Sequence, residues 1–174
     1  MLFTVDDCAR MLRQLGSGLT EYQIRKLATV GAVVPPFPPK ASGASALYDL
    51  PALALLRAHA LLSMWSDTDA RPTFLARAIT TREAQRRLRR AVVSGEPLAL
   101  VFTETDTPGG VESEADARQR DRAPVLVLPW RQVVAGLRDV AHAYRETHGD
   151  VWAGHKFQSS AAALRWARST EPDE

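Results

Sequence analysis

Residues 4–31 read TVDDCARMLRQLGSGLTEYQIRKLATVG, and this stretch decides the fold. Thr4 precedes Val5-Asp6-Asp7, so a hydroxyl stands where a helix cap is needed and acidic residues sit in the first turn. Val5, Cys8, Ala9, Leu12 and Leu15 then recur at helical spacing, and Gly16-Ser17-Gly18 stops the helix. Thr20 caps a second helix whose apolar stripe is Ile24, Leu27 and Ala28, while Tyr22, Arg25 and Lys26 point elsewhere. Gly31 fits the left-handed position just past its end. Two short helices joined by a glycine turn are thus expected at the N-terminus.

Working outward, Val33-Val34 reads as a short strand, and four prolines in residues 35–39 exclude helix or central strand there. Residues 40–46 read as a loop. Asp49 caps a third helix with Pro51 in its first turn, running to about Trp65 through Leu53, Leu56, Ala60, Leu61 and Met64. A helix is expected near 72–79. Thr80 and Glu83 then form a capping-box pattern that starts a basic helix ending near Val93. After Ser94-Gly95-Glu96-Pro97 the character changes. Leu98–Phe102 and Val125–Leu128 read as strands separated by a polar, acidic loop at 104–122. Residues 130–146 have one apolar face (Val133, Val134, Leu137, Val140, Ala141, Tyr144) and read as one long helix, with a last helix at 160–168.

The order helix, glycine turn, helix, short strand, loop, helix is that of a winged helix-turn-helix. The expected fold is therefore mainly α: a winged helix-turn-helix DNA-binding domain over residues 1–80, a basic connecting helix at 81–95, and a small α/β region at 96–174. In such a domain the second helix reads base edges in the major groove and the wing lies on neighbouring phosphates.

Charge agrees with this division. Residues 1–95 carry 13 Lys and Arg against 7 Asp and Glu, a net of +6; residues 96–174 carry 9 against 13, a net of −4. A nucleic-acid surface is expected in the basic half. The chain is 45% hydrophobic and 24% charged, enough for a real core. No stretch is apolar for the roughly 18 residues a membrane span needs, and no signal-peptide pattern opens the chain, so a cytoplasmic protein is expected.

The same residues resemble the MerR family of bacterial regulators. Phe3-Thr4-Val5-Asp6-Asp7-Cys8-Ala9-Arg10 is similar to the family's first helix. The run from Ile24 to Pro35 resembles its Leu-Arg-Tyr-Tyr-Glu segment followed by Gly-Leu-Leu and a proline. Gly43-Ala44-Ser45-Ala46-Leu47-Tyr48-Asp49-Leu50 resembles its Gly-Tyr-Arg-x-Tyr wing, and Leu53–Arg57 the helix after it. The chain departs from the pattern at Lys26-Leu27, where the family has an aromatic pair, at Ala28 for its Glu, at Ala46 for its wing arginine, and in a longer turn at Gly16-Ser17-Gly18. The resemblance implies a bacterial, DNA-binding transcription regulator. It also implies a homodimer whose recognition helices meet successive major grooves roughly 34 Å apart.

The DNA-contact candidates are Arg25, which matches the family's arginine, and Thr20, Tyr22 and Lys26 on the same helix. Lys40 at the base of the wing and Ser45 within it complete the set. Each has a plainer reading as solvated surface. Arg82, Arg86, Arg87, Arg89 and Arg90 are either a second phosphate-binding surface or a solvated helix face.

Residues 96–174 are expected to dimerise, bind a protein partner or sense a small-molecule effector. Trp130, Trp152 and Trp166 suit either a ligand pocket or core packing. His142, His148 and His155 are spaced six and seven apart, wrong for metal ligands on one helix, so no metal is expected. Cys8, the one cysteine, reads as a buried apolar residue rather than a sensor. No phosphate-cradling glycine loop, Gly-x-Ser-x-Gly elbow or His-Glu-x-x-His is present, so neither an enzyme nor a cofactor is expected. The alternative to a regulator is a protein-interaction module built on a winged helix that has lost DNA affinity. The missing wing arginine favours the module; the +6 charge of the front half opposes it.

Overall fold

The computed structural model describes residues 1–36, 46–64, 79, 81–103, 110–119 and 125–149. Among these residues the chain is mostly helical, with two small antiparallel sheets. Its order is β1 (Leu2–Phe3), α1 (Val5–Gln14), α2 (Glu21–Thr29), β2 (Tyr48–Asp49), α3 (Leu50–Met64), α4 (Arg82–Ser94), β3 (Leu98–Thr103), β4 (Gly110–Ser113), α5 (Glu114–Arg118), β5 (Val125–Pro129), α6 (Trp130–Val134) and α7 (Leu137–His148).

The N-terminal pair forms as its local chemistry dictates. The Thr4 hydroxyl accepts from the Asp7 amide at 3.2 Å while the Asp7 carboxylate accepts from the Thr4 amide at 2.8 Å, a reciprocal capping box. Thr20 and Gln23 repeat it at the start of α2. Both helices end in the same way, with crossed backbone bonds that satisfy their last carbonyls. The Ser17 amide donates to Leu12 at 2.9 Å and the Ala32 amide to Leu27 at 2.9 Å. Gly31 occupies the expected left-handed position, with φ +72°.

Several expectations are corrected. Val33-Val34 is not a strand. The Val33 amide donates back to Leu27, and the backbone of Val34 bonds to side chains of α4 instead of a neighbouring strand: its amide to Gln85 and its carbonyl to Arg89. The strand in this region is β2, which pairs with β1 in the register Leu2↔Asp49 and Phe3↔Tyr48. Two residues at each end of a long separation leave no pattern to read. α4 is capped by Thr81, whose hydroxyl accepts from Ala84, so the helix starts one residue later than the Thr80 pattern suggests; Glu83 still lies in the first turn. The loop expected at 104–122 contains β4 and α5. The helix expected at 130–146 is two, α6 and α7, broken at Ala135-Gly136. Gly136 has φ +72° there, and the junction lies against Leu15 at the end of α1. The helices expected at 72–79 and 160–168 lie outside the described residues, apart from Ile79, which is buried.

β3 is the middle strand of the second sheet, between β4 and β5. Its alternate residues face two ways. Leu98 and Leu100 join the main core, while Ala99 and Val101 pack against Ala117 of α5. Burial on both faces explains its unbroken apolar run.

α3 is the hub. Ala52–Leu56, Ala58, Ala60 and Leu62 are all buried, so it is wrapped on nearly every side and not by a single stripe. One cluster of buried residues runs from Phe3, Leu12 and Ile24 through α3 to Leu88, Leu100, Trp130, Leu137 and Tyr144. The front and back stretches of the chain thus share one core. Polar ties cross it: the Tyr144 hydroxyl donates to Asp7 Oδ1 at 2.6 Å, Arg57 donates to the carbonyls of Val133 and Ala135, and Arg138 donates to Val92 at 2.7 Å.

Candidate nucleic-acid interface

Ile24 points inward from α2 and is fully buried, which fixes the rotation of the helix. Tyr22, Arg25, Lys26 and Thr29, at spacing i, i+3, i+4 and i+7, then form one stripe on the opposite side, and all four are exposed. Tyr22 is 74% exposed. Lys26 has no carboxylate partner among the described residues. Arg25 pairs with Glu21 one turn earlier at 3.2 Å, with its side chain 61% exposed. An exposed pair of this kind is worth only about 0.3–0.5 kcal/mol, so an incoming phosphate or base can displace it at little cost.

Thr20 is exposed too, but its hydroxyl is already committed to Gln23, accepting from the amide at 3.3 Å and donating to the side-chain carbonyl at 3.1 Å. Its demonstrable work is to start the helix. Lys40 and Ser45 lie outside the described residues. The structure therefore brings together Tyr22, Arg25 and Lys26 on one face. It adds Thr29, exposed and seven residues from Tyr22, a spacing legible in the sequence. Arg10 is neutralised by Asp6 at 2.8 Å.

The ends of the segment between α2 and α3 are anchored. At one end the Gln85 side chain, buried on α4, donates to the carbonyls of Gly31 and Ala32 at 3.3 and 3.2 Å and accepts from the Val34 amide at 3.4 Å. At the other, Tyr48 and Asp49 are held by β1. Asp49 does two further things: its Oδ1 accepts from the Ala52 amide at 2.9 Å, capping α3 as expected, and its Oδ2 pairs with Arg89. Tyr48 is fully buried, and burial pushes its phenol up to about 12.

Cys8 is fully buried, and burial pushes its thiol well up, which keeps it protonated and unreactive. Trp130 is a core residue; Trp152 and Trp166 lie outside the described residues. His142 and His148 are exposed, His148 stacks on Tyr144 with ring centroids 4.1 Å apart, and His155 is not among the described residues. Among the described residues no group of His, Cys, Asp or Glu is placed to hold a metal ion, and no helix is long and apolar enough to cross a membrane. In comparisons with known proteins, no family model matches the chain and no curated protein matches its sequence.

Proposed function

We propose that this chain is a transcription regulator that binds double-stranded DNA with α2, in the manner of a winged helix-turn-helix. The observation that carries the reading is the exposed stripe of Tyr22, Arg25, Lys26 and Thr29 on a short helix whose opposite side is seated in the core by Ile24. A helix so held can enter a major groove and offer an arginine to base edges and a lysine to phosphate. In this reading the wing is the stretch 43–50, of which residues 43–45 lie outside the described residues and Tyr48–Asp49 form β2. The resemblance to MerR-like regulators supports the same assignment and brings with it a homodimer acting in the bacterial cytoplasm, with the acidic region from residue 96 onward for dimerisation, a protein partner or an effector.

The test is binding to duplex fragments of the source genome, followed by electrophoretic mobility at two salt concentrations. Arg25→Ala is expected to cost about 1–3 kcal/mol on a preferred site and to relax sequence choice. Lys26→Gln is expected to weaken all duplexes alike and lower the salt slope by about 1. Absence of binding to any duplex at low salt refutes the proposal. The second reading, a protein-docking surface on the same helix, is favoured by the exposure of Tyr22 and by Val30, 67% exposed at the end of α2. Nuclease-resistant capture of one protein partner, lost on Tyr22→Ala, would select it.

A further inference from the structure

α4 carries five arginines within thirteen residues, and the fold divides them into two groups. Arg87 pairs with Glu96 at 3.3 Å and donates to the Val111 carbonyl at 3.1 Å. Arg89 pairs with Asp49 and donates to the Val34 carbonyl at 3.3 Å. These two are structural. Arg82, Arg86 and Arg90 are exposed, and none has a carboxylate partner among the described residues. At four-residue spacing they form one stripe about 12 Å long on the side opposite buried Leu88. Like charges at i, i+4 repel along a helix, and this stripe contains two such pairs. The stripe is therefore a local cost that an anionic surface would remove.

Its position relative to α2 is fixed. Gln85 and Arg89, one turn apart on α4, hold the turn leaving α2 through Gly31, Ala32 and Val34. Arg82 and Arg86 border that side of the helix. A stripe of guanidinium forks tied to the end of a DNA-facing helix suits the sugar–phosphate backbone: arginine matches phosphate bidentately, and 12 Å spans about three phosphates of one strand at 3.4 Å each along the duplex axis.

We infer that Arg82, Arg86 and Arg90 form a second, sequence-independent contact to the phosphate backbone of the duplex that α2 reads. The inference rests on the DNA-binding reading of α2 and extends its footprint. The full-length protein is titrated with a mixed-sequence 20-base-pair duplex between 50 and 200 mM salt, alongside two variants: Arg82→Gln/Arg86→Gln/Arg90→Gln and Arg25→Gln/Lys26→Gln. Loss of three phosphate contacts lowers the salt slope by about 2.7, so the affinity lost between the two salt concentrations shrinks roughly 40-fold. Preference among sequences is unchanged. The single variant Arg86→Gln lowers the slope by about 0.9, and equal melting temperatures show that the fold is intact.

A triple variant whose slope matches the wild type overturns the stripe and leaves α2 untouched. If the double variant binds as the wild type while the triple weakens, the α2 reading falls and with it the proposal of a second contact, the stripe then being the primary phosphate surface. If the wild type binds no duplex at low salt, both fall.

Discussion

Replacing Tyr144 by Phe removes a single oxygen, yet that oxygen donates at 2.6 Å to Asp7 and joins the last described helix to the first. Hydrogen bonds to a charged group contribute about 1.5–3 kcal/mol. Asp7 keeps its bonds from Thr4, at 2.8 Å from the amide and 2.7 Å from the hydroxyl, so it is not stranded in the variant and the lower part of that range applies. The expected loss is about 1.5–2 kcal/mol, or about 3–8 °C in melting temperature for a chain of this size. The pH dependence supplies a second check. Burial pushes the Asp7 carboxyl up, but the bonds from Tyr144 and Thr4 outweigh it, and the group sits below its ordinary value of 3.8. A carboxyl depressed on folding adds stability that is present above its unfolded value and lost as pH falls through its folded one. The gap between wild type and Tyr144→Phe is therefore full at neutral pH and closes below about pH 4. Urea unfolding at pH 7 and pH 3 measures both. A gap under about 0.5 kcal/mol at neutral pH, or one that persists in acid, would refute the reasoning.

Two further outcomes are expected. His59 is half-buried on α3, and burial pushes its imidazole down to about 4. The unfolded chain therefore takes up a proton that the folded one refuses, and stability falls by about 2–3 kcal/mol between pH 6.5 and pH 4, a slope that His59→Gln flattens in denaturant titrations. Asp49→Ala removes both the cap of α3 and the partner of Arg89, and costs about 2–4 kcal/mol in a urea midpoint; Asp49→Asn, which retains the cap, costs less.

Much of the front half was legible because its signals are local. A threonine three residues before Asp7 or Gln23, a glycine one residue past the last turn of α2 and an aspartate ahead of Pro51 each act on backbone groups within a few positions, so each can be read without knowing what surrounds it. The β3 and β5 strands were legible as apolar runs. The break at Gly136 was hidden because the apolar pattern continues through it; in the folded chain that glycine has φ +72° and lies against Leu15 at the end of α1. β4 and α5 were hidden because their acidic, polar composition reads as loop, although β4 pairs with β3 from as near as Val101↔Gly110.

On the candidate interface, the sequence by itself determined the stripe Tyr22, Arg25 and Lys26, since one buried residue at a known helical period fixes which side chains face away from it. Which arginines of α4 remain free was decided only by the tertiary structure. Helical periodicity puts Arg86 and Arg90 opposite buried Leu88 and Arg87 and Arg89 on its flanks, but it does not say what lies within reach of any of them. Arg87 and Arg89 have Glu96, Val111, Asp49 and Val34 brought within reach. Local spacing orients a side chain, but whether its charge is neutralised depends on groups that the folded chain delivers from elsewhere.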